Sequence, residues 1–389
     1  MRPPLLRHDG LLLRPWEPRD AAALTRACGD PGIQRWTSLP TPFGAPEADT
    51  FIAESAHQLA DGSAAQLGVF ADGGGLLGGV SLTERAELSY WTAPWARGRG
   101  VAERASRALL RWGFDEGGLA RVGWRAEVGN HASRLVALRL GFQIEGVARG
   151  VPCGQRRPDR TWLASLLAGE LSAGGADRPA GPGTVAARQA ATFSAPAPTV
   201  SFRADAGTRL TLRPPTPDDV PAMVAALADP ETVRWLVQPP GDRAAAARAA
   251  VAMASAAWAA GEEVSLTIGD ENGNYLGEIH LRLLAGQPDV GRVRFHVGPA
   301  ARGRGVATGA LRAVVGWAFP ALALTRVEWH AWAGNEPSRK VAERVGFVWE
   351  GVTRVVRQGR QRDVWRSALL ASDLRPTAPA EARLTGGQR

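Results

Sequence analysis

The 389-residue chain is 45% hydrophobic and 22% charged, ordinary for folded globular protein and enough for two domains with separate cores. Cys28 and Cys153 cannot build a disulfide framework, the six histidines show no metal-like spacing, and no stretch reaches the roughly 20 apolar residues of a membrane span. The net charge of +8 rests on arginine, since Lys340 is the only lysine, and the arginines are interleaved with acids, which argues against nucleic acid as the main partner.

In chain order, the opening MRPPLLRHDG mixes prolines and charges where a signal peptide needs an unbroken apolar run, so a cytoplasmic location is expected. A short strand over 11–14 leads into a helix from about Arg19 and a second over 47–59. Strands follow over 65–70, 76–83 and 87–92, then the turn ARGRGVA and a helix with Leu109, Leu110 and Phe114 at helical spacing. A strand over 121–127, a helix over 132–140 and two closing strands complete a domain over 1–171. Residues 172–208, rich in Gly, Ala, Pro and Ser, read as a linker. The same order then restarts: a strand over 210–213, helices from Asp218 and over 242–260, and strands over 264–268, 275–283 and 292–297. A second ARGRGVA, a helix, a strand over 326–331, a helix over 337–345 and two strands follow. The second domain spans 209–374, and 375–389 reads as a disordered tail.

The restart is a repeat in residues as well as in elements. Leu13, Arg14, Pro15, Asp20, Asp30, Pro31, Arg35 and Trp36 each recur 199 positions later. ARGRGVA at Ala96 recurs at Ala301, and Trp112, Trp124, Asn130, Ser133, Gly141 and Phe142 keep that offset of 205. The six-residue difference predicts an insertion in a surface loop between the two blocks. A period this long is a duplicated domain, not a solenoid. The fold class is α+β, a mixed central sheet with helices on both faces, present twice; such a duplication also allows an intramolecular pseudo-dimer.

Both turns follow a strand and open a helix. Glycines there let backbone N–H groups approach a ligand, and a helix N-terminus favours an anion such as pyrophosphate. The run Arg97, Gly98, Arg99, Gly100, Val101, Ala102, then a strand ending in Asn130-His131-Ala132-Ser133, then a helix closing on Gly141-Phe142, resembles the GNAT superfamily. So does Arg302, Gly303, Arg304, Gly305, Val306, Ala307 with Asn335 to Ser338 and Gly346-Phe347, and both copies are most similar to its RimJ/RimL-like branch. The resemblance implies acetyl-CoA as co-substrate and an amine acceptor, either a peptide N-terminus or a small molecule. It implies a V-shaped opening beside Thr92 and Val297, where pantetheine lies, with Asn130 and Asn335 fixing the pantetheine or the loop.

The chemistry implied is attack of a neutral amine on a thioester, which needs a base for the ammonium and a donor for the leaving thiolate. The tyrosine that many GNAT enzymes place four residues before Gly-Phe is replaced by Ala137 and Ala342, so Ser133 and Ser338 take the donor role by resemblance; capping of the following helix is their structural alternative. Glu278 is the candidate base in the second copy. Gly79 stands there in the first, where Glu87 and Glu84 are weaker substitutes. The second copy is therefore expected to be active. A non-catalytic acyl-CoA sensor, with one or both domains degenerate, remains the alternative. Trp36, Trp112, Trp124 and Trp162 recur in the second copy and are expected to pack in the core or between elements. His131 and His296, each in one copy, are expected to be surface polar groups rather than bases.

Overall fold

The computed structural model describes residues 5–151, 158–171, 184–204, 207–236, 241–284, 287–357 and 360–374. It divides into two compact units, Met1–Pro182 and Gly183–Arg389. Cys153 and the expected tail lie outside the described residues.

The first unit opens with strands β1 (Leu6–His8) and β2 (Leu11–Pro15) and helices α1 (Ala21–Cys28), α2 (Pro31–Trp36) and α3 (Ala45–Asp61). Strands β3 (Ala64–Ala71), β4 (Leu76–Thr83) and β5 (Leu88–Thr92) lead to helix α4 (Val101–Asp115). Strand β6 (Arg121–Glu127), helix α5 (His131–Leu140) and strands β7 (Gln143–Arg149) and β8 (Arg160–Leu167) close it. The ladder β1-β2-β3-β4-β5 is antiparallel, and β6-β8-β7 meets it through a parallel bridge from Glu87 to Gly123.

The second unit begins with helix α6 (Val185–Phe193) and strands β9 (Val200–Arg203) and β10 (Arg209–Arg213). Helices α7 (Val220–Ala228), α8 (Pro230–Trp235) and α9 (Arg243–Ala260) precede β11 (Glu263–Gly269), β12 (Tyr275–Leu284) and β13 (Gln287–Val297). Then come α10 (Val306–Leu322), β14 (Arg326–Trp332), α11 (Glu336–Val345), β15 (Val348–Arg357) and β16 (Arg360–Leu370). All eight strands join one sheet, ordered β15-β16-β14-β13-β12-β11-β10-β9, in which β13 and β14 run parallel.

Alternation sets the faces. On β12, Gly277, Ile279 and Leu281 are buried, with Val264, Leu266 and Ile268 of β11 in the same core as Ala310, Leu311, Val314 and Val315 of α10. Glu278 and His280 take the opposite face, on which α7 and α9 pack. One buried carboxylate fixes the entry to α1 in the first unit and to α7 in the second. Asp20 accepts two bonds from Arg14 (2.7 and 2.8 Å) and one from Glu17 N–H, and Asp219 does the same with Arg213 and Thr216 N–H.

Two expectations need correcting. Residues 184–204, inside the expected linker, are structured: α6 packs on α10, burying Phe193, and β9 pairs with β10, burying Val200 and Phe202. Its Ala- and Pro-rich composition hid three large apolar side chains that have a core to enter. The six-residue insertion is not a loop. It lengthens the hairpin that is β4–β5 in the first unit and β12–β13 in the second, far from where Gly78↔Thr92 and Gly277↔Val297 pair in matching register.

Candidate functional site

The site starts where parallel strands part. β13 pairs with β14 from Val290 to Val293 and then leaves it; residues 294–297 stay bonded to β12, while 330–332 stay bonded to β16. In the first unit β5 and β6 separate just beyond the Glu87–Gly123 bridge. Thr92 and Val297 are the last residues of the strands on the near side of each wedge.

Past those strands the chain turns into α4 and α10. Gly98, Gly100, Gly303 and Gly305 adopt φ of +75°, +68°, +71° and +72°, a left-handed conformation costly for other residues, and open space lies where their Cβ atoms would be. Gly100 and Gly305 are the N-caps, and neither helix start carries a side-chain cap. The first-turn N–H groups of these 15- and 17-residue helices therefore face outward with the positive end of the dipole. Val101 and Val306 are buried, so they offer a ligand backbone only, as do Ala102 and Ala307 beside them. This cradle fits a pyrophosphate. The arginines divide: Arg99 and Arg304 are exposed at the turn, whereas Arg97 and Arg302 bind Asp30 and Asp229, the N-caps of α2 and α8. Arg302 also donates to Thr232 Oγ1 at 2.8 Å.

The Asn-x-x-Ser segments form one motif with two outcomes. Asn130 and Asn335 are the caps, their Oδ1 accepting Ser133 N–H and Ser338 N–H at 3.2 Å. Capping is thus the asparagines' work, and the serine hydroxyls do something else. Ser338 Oγ accepts the indole N–H of Trp329 at 3.0 Å, which leaves its own proton to donate elsewhere. In the first unit Tyr90 Oη stands 3.2 Å from Ser133 Oγ and donates to the Ser133 carbonyl at 2.7 Å. Trp124, the counterpart of Trp329, bonds Tyr90, which burial pushes well above the ordinary tyrosine range. Phe295, which has no hydroxyl, occupies the matching place in the second unit.

Glu278 lies opposite His296, in the stretch of β13 that has left β14. Its Oε2 is 3.2 Å from His280 Nε2, and His280 Nδ1 is 3.2 Å from Glu263 Oε1 and 3.0 Å from Ser265 Oγ. Arg294 donates to Glu263 Oε1 at 2.9 Å. Tyr275 Oη is 3.1 Å from His296 Nε2 and also meets Glu278. Burial alone would raise the Glu278 pKa and lower that of His280; their hydrogen bond, with that of Glu263, reverses both, holding Glu278 below and His280 above the ordinary range. The same opposition leaves Glu263 at about 2, while burial pulls His296 down. Of this cluster the sequence singles out Glu278 as a base and His296 only as a polar group. The alternation of β12 would have added His280, two residues on and on the same face; Glu263 needs the β11–β12 register.

The first unit has none of this. Gly79 replaces Glu278 and Ser81 replaces His280, and the Trp91 indole lies over Gly79, so close that a Cβ there would be 2.6 Å from Nε1. Trp91 stacks on Trp16 with ring centroids 6.3 Å apart, and Trp16 meets Phe51 and Phe70 edge-on. Neither substitute carboxylate fills the gap. Glu87 is held by Arg125 in a two-pronged ion pair, and Glu84 is exposed at the hairpin turn. Neither histidine is the surface group expected: His131 is buried edge-on to Trp162, and His296 is half-buried against Tyr275. Trp112, Trp124, Trp162 and Trp329 are core residues, but Trp36 is 37% exposed under Arg35.

Among the described residues no helix is long and apolar enough to cross a membrane, and no group of three or more His, Cys, Asp or Glu is placed to hold a metal. The family model for the acetyltransferase (GNAT) domain matches twice, at residues 10–143 and 209–348. YdaF of Bacillus subtilis (strain 168), a protein named as a ribosomal N-acetyltransferase, is 38% identical over 107 residues, which are 26% of this chain and 58% of that protein. The ribosomal-protein-serine acetyltransferase of Escherichia coli (strain K12) is 37% identical over 65 residues, 17% of this chain and 36% of its own. The chain thus spans little more than half of YdaF and about a third of the second relative. Among solved structures, Mycobacterium smegmatis RimJ in complex with CoA-disulfide is 25% identical, with a TM-score of 0.42, covering 46% of this chain and 90% of its own.

Proposed function

The chain belongs to the GNAT acetyltransferase family, and on that premise we propose that it is an N-acetyltransferase that moves acetyl from acetyl-CoA to a primary amine, with the second unit doing the chemistry. The observation that carries this is the contrast at one position: an ionised Glu278 beside the wedge of the second unit, and an indole over Gly79 in the first. Acetyl-CoA supplies an activated thioester. The N–H groups opening α10 bind its pyrophosphate, with Arg304 adding charge, and the edge of β13 ending at Val297 receives the pantetheine arm. Asn335 holds α11 so that Ser338 faces the wedge. Glu278 removes one proton from the acceptor's ammonium, the freed amine lone pair attacks the carbonyl carbon, the C–S bond breaks, and Ser338 O–H hands its proton to the thiolate while taking up the second proton that the nitrogen sheds as it becomes an amide. The first unit keeps the same turn, Arg97 to Ala102, with Thr92 and Asn130, so it binds acetyl-CoA without turning it over. The acceptor is a protein N-terminus, a reading supported by the names of the relatives that act on ribosomal proteins.

Calorimetric titration with acetyl-CoA, paired with CoA release on a short peptide bearing a free N-terminal serine, tests this. Two sites per chain are expected, and Glu278→Gln should cut turnover about 100-fold or more while both sites still fill. Retention of full activity by that variant would sink the base; absence of acetyl-CoA binding would sink the whole reading.

A further inference from the structure

We propose that His280 and Glu263 are positioning residues that act through Glu278, so that the proton taken from the acceptor comes to rest on the His280 imidazole and leaves towards Glu263. This rests on the reading of Glu278 as the base. A carboxylate held below its ordinary pKa is a weak acceptor for an ammonium proton. The geometry offers a better one in series: Glu278 Oε2 and Glu263 Oε1 stand at the two ring nitrogens of one imidazole, each at 3.2 Å. The three side chains are nearly buried, at 13–15% exposure, whereas Arg294 beyond Glu263 is 67% exposed and marks the way to solvent.

The step balances as follows. An N–H bond of the ammonium breaks and an O–H bond forms on Glu278. That proton passes from Oε2 to Nε2 of a neutral imidazole whose Nδ1 carries hydrogen. The Nδ1 proton, held in hydrogen bond by Glu263 Oε1 without being transferred to it, is then released to water, returning the ring to neutral after tautomer exchange. The amine is left with its lone pair, and one proton per turnover reaches solvent. Such a chain titrates as a unit. Its active form has the imidazole deprotonated, and because Glu263 and Glu278 hold His280 above 6.5, activity should rise with pH through that raised value. The other charged groups facing it are few. From β13 come Arg294 and His296, from β12 Tyr275 and the exposed Arg282 opposite Glu263, and Asp219 reaches the same face through Thr267. Helix α7 carries no titratable side chain, and α9 carries Arg243 and Arg248, both exposed. In the first unit the matching positions are Ala64, Gly79 and Ser81, so no such chain exists there.

Two readouts on the full chain test the proposal. The first follows the histidine ring signals by NMR against pH, with His280→Asn assigning the resonance. His280 should titrate above 6.5 and fall by about one pH unit or more in Glu278→Gln and in Glu263→Gln. The second compares kcat/KM against pH for wild type, His280→Asn and Glu263→Gln on the N-terminal serine peptide, where the amine's own titration cancels between variants. The acid limb should move down by about one pH unit or more in both, with acetyl-CoA affinity unchanged. A lower rate with an unmoved limb would leave His280 a merely structural residue and overturn the proposal. An imidazole that titrates below 6.5, or ignores loss of either carboxylate, would overturn it even if the peptide is not turned over. Full activity in Glu278→Gln would instead show that the base itself was misassigned.

Discussion

Ser133 and Ser338 hold equivalent places in the repeat, yet their hydroxyls are bonded differently. Ser338 receives a bond from Trp329 and keeps a proton to give, whereas Tyr90 crowds Ser133. Ser338→Ala should therefore slow turnover about tenfold or more with acetyl-CoA affinity nearly intact, and Ser133→Ala should leave turnover unchanged; steady-state CoA release separates the two. Asp219 is a structural residue by the same scrutiny. It is 3% exposed and bonded by Arg213, Thr216 and Thr267, so Asp219→Ala takes one partner from each of a half-buried guanidinium, a backbone N–H and a hydroxyl, and should cost about 2 kcal/mol in chemical denaturation. Several depressed carboxylates also give the fold an acid limit. Asp20, Asp219 and Asp229 all have folded pKa values lowered by arginine and backbone bonds, Asp229 to about 2. Their stabilisation is complete above about pH 4 and is lost as the pH falls through those lowered values. Thermal midpoints measured from pH 5 downward should decline, and Asp229→Asn should flatten part of that decline.

At the scale of elements, the two arginines of each glycine turn do different jobs. Arg302 ties the start of α10 to the cap of α8, while Arg304 stands exposed at the turn. Arg302→Ala should lower the melting temperature more than it weakens acetyl-CoA. Arg304→Ala should weaken acetyl-CoA and reduce the salt dependence of its binding. A pattern of Arg and Gly cannot show that one arginine has an aspartate 73 residues earlier as its partner. The element order, the turn and the helix starts were legible because alternation, helical spacing and glycine punctuation are local signals. The chain from Glu278 to Glu263 was not, because it depends on which residues of β11 and β12 face each other. The short helices α2 and α8 were missed as well: six residues are too few for a periodic pattern to emerge.

For the whole molecule, duplication has kept the glycine turn with its uncapped helix start in both units and the polar cluster in one. Comparison of the halves made this visible in the sequence, since Gly79 and Glu278 align at the same offset as the first block. What filled the emptied place was not legible, for Trp91 reaches Gly79 across strands. One consequence concerns how the chain can be taken apart. A fragment begun at Arg209, where the repeat itself restarts, would discard α6 and β9 and uncover the faces that bury Phe193, Val200 and Phe202, each worth about 2 kcal/mol. It would also lose the bonds from Gln189 to the Pro288 and Leu322 carbonyls. Such a fragment should be poorly soluble, whereas one begun before Thr184 should melt like the second half of the intact chain. The place to cut is set by where the sheet acquires its outermost strand, upstream of the point where the resemblance between the halves begins.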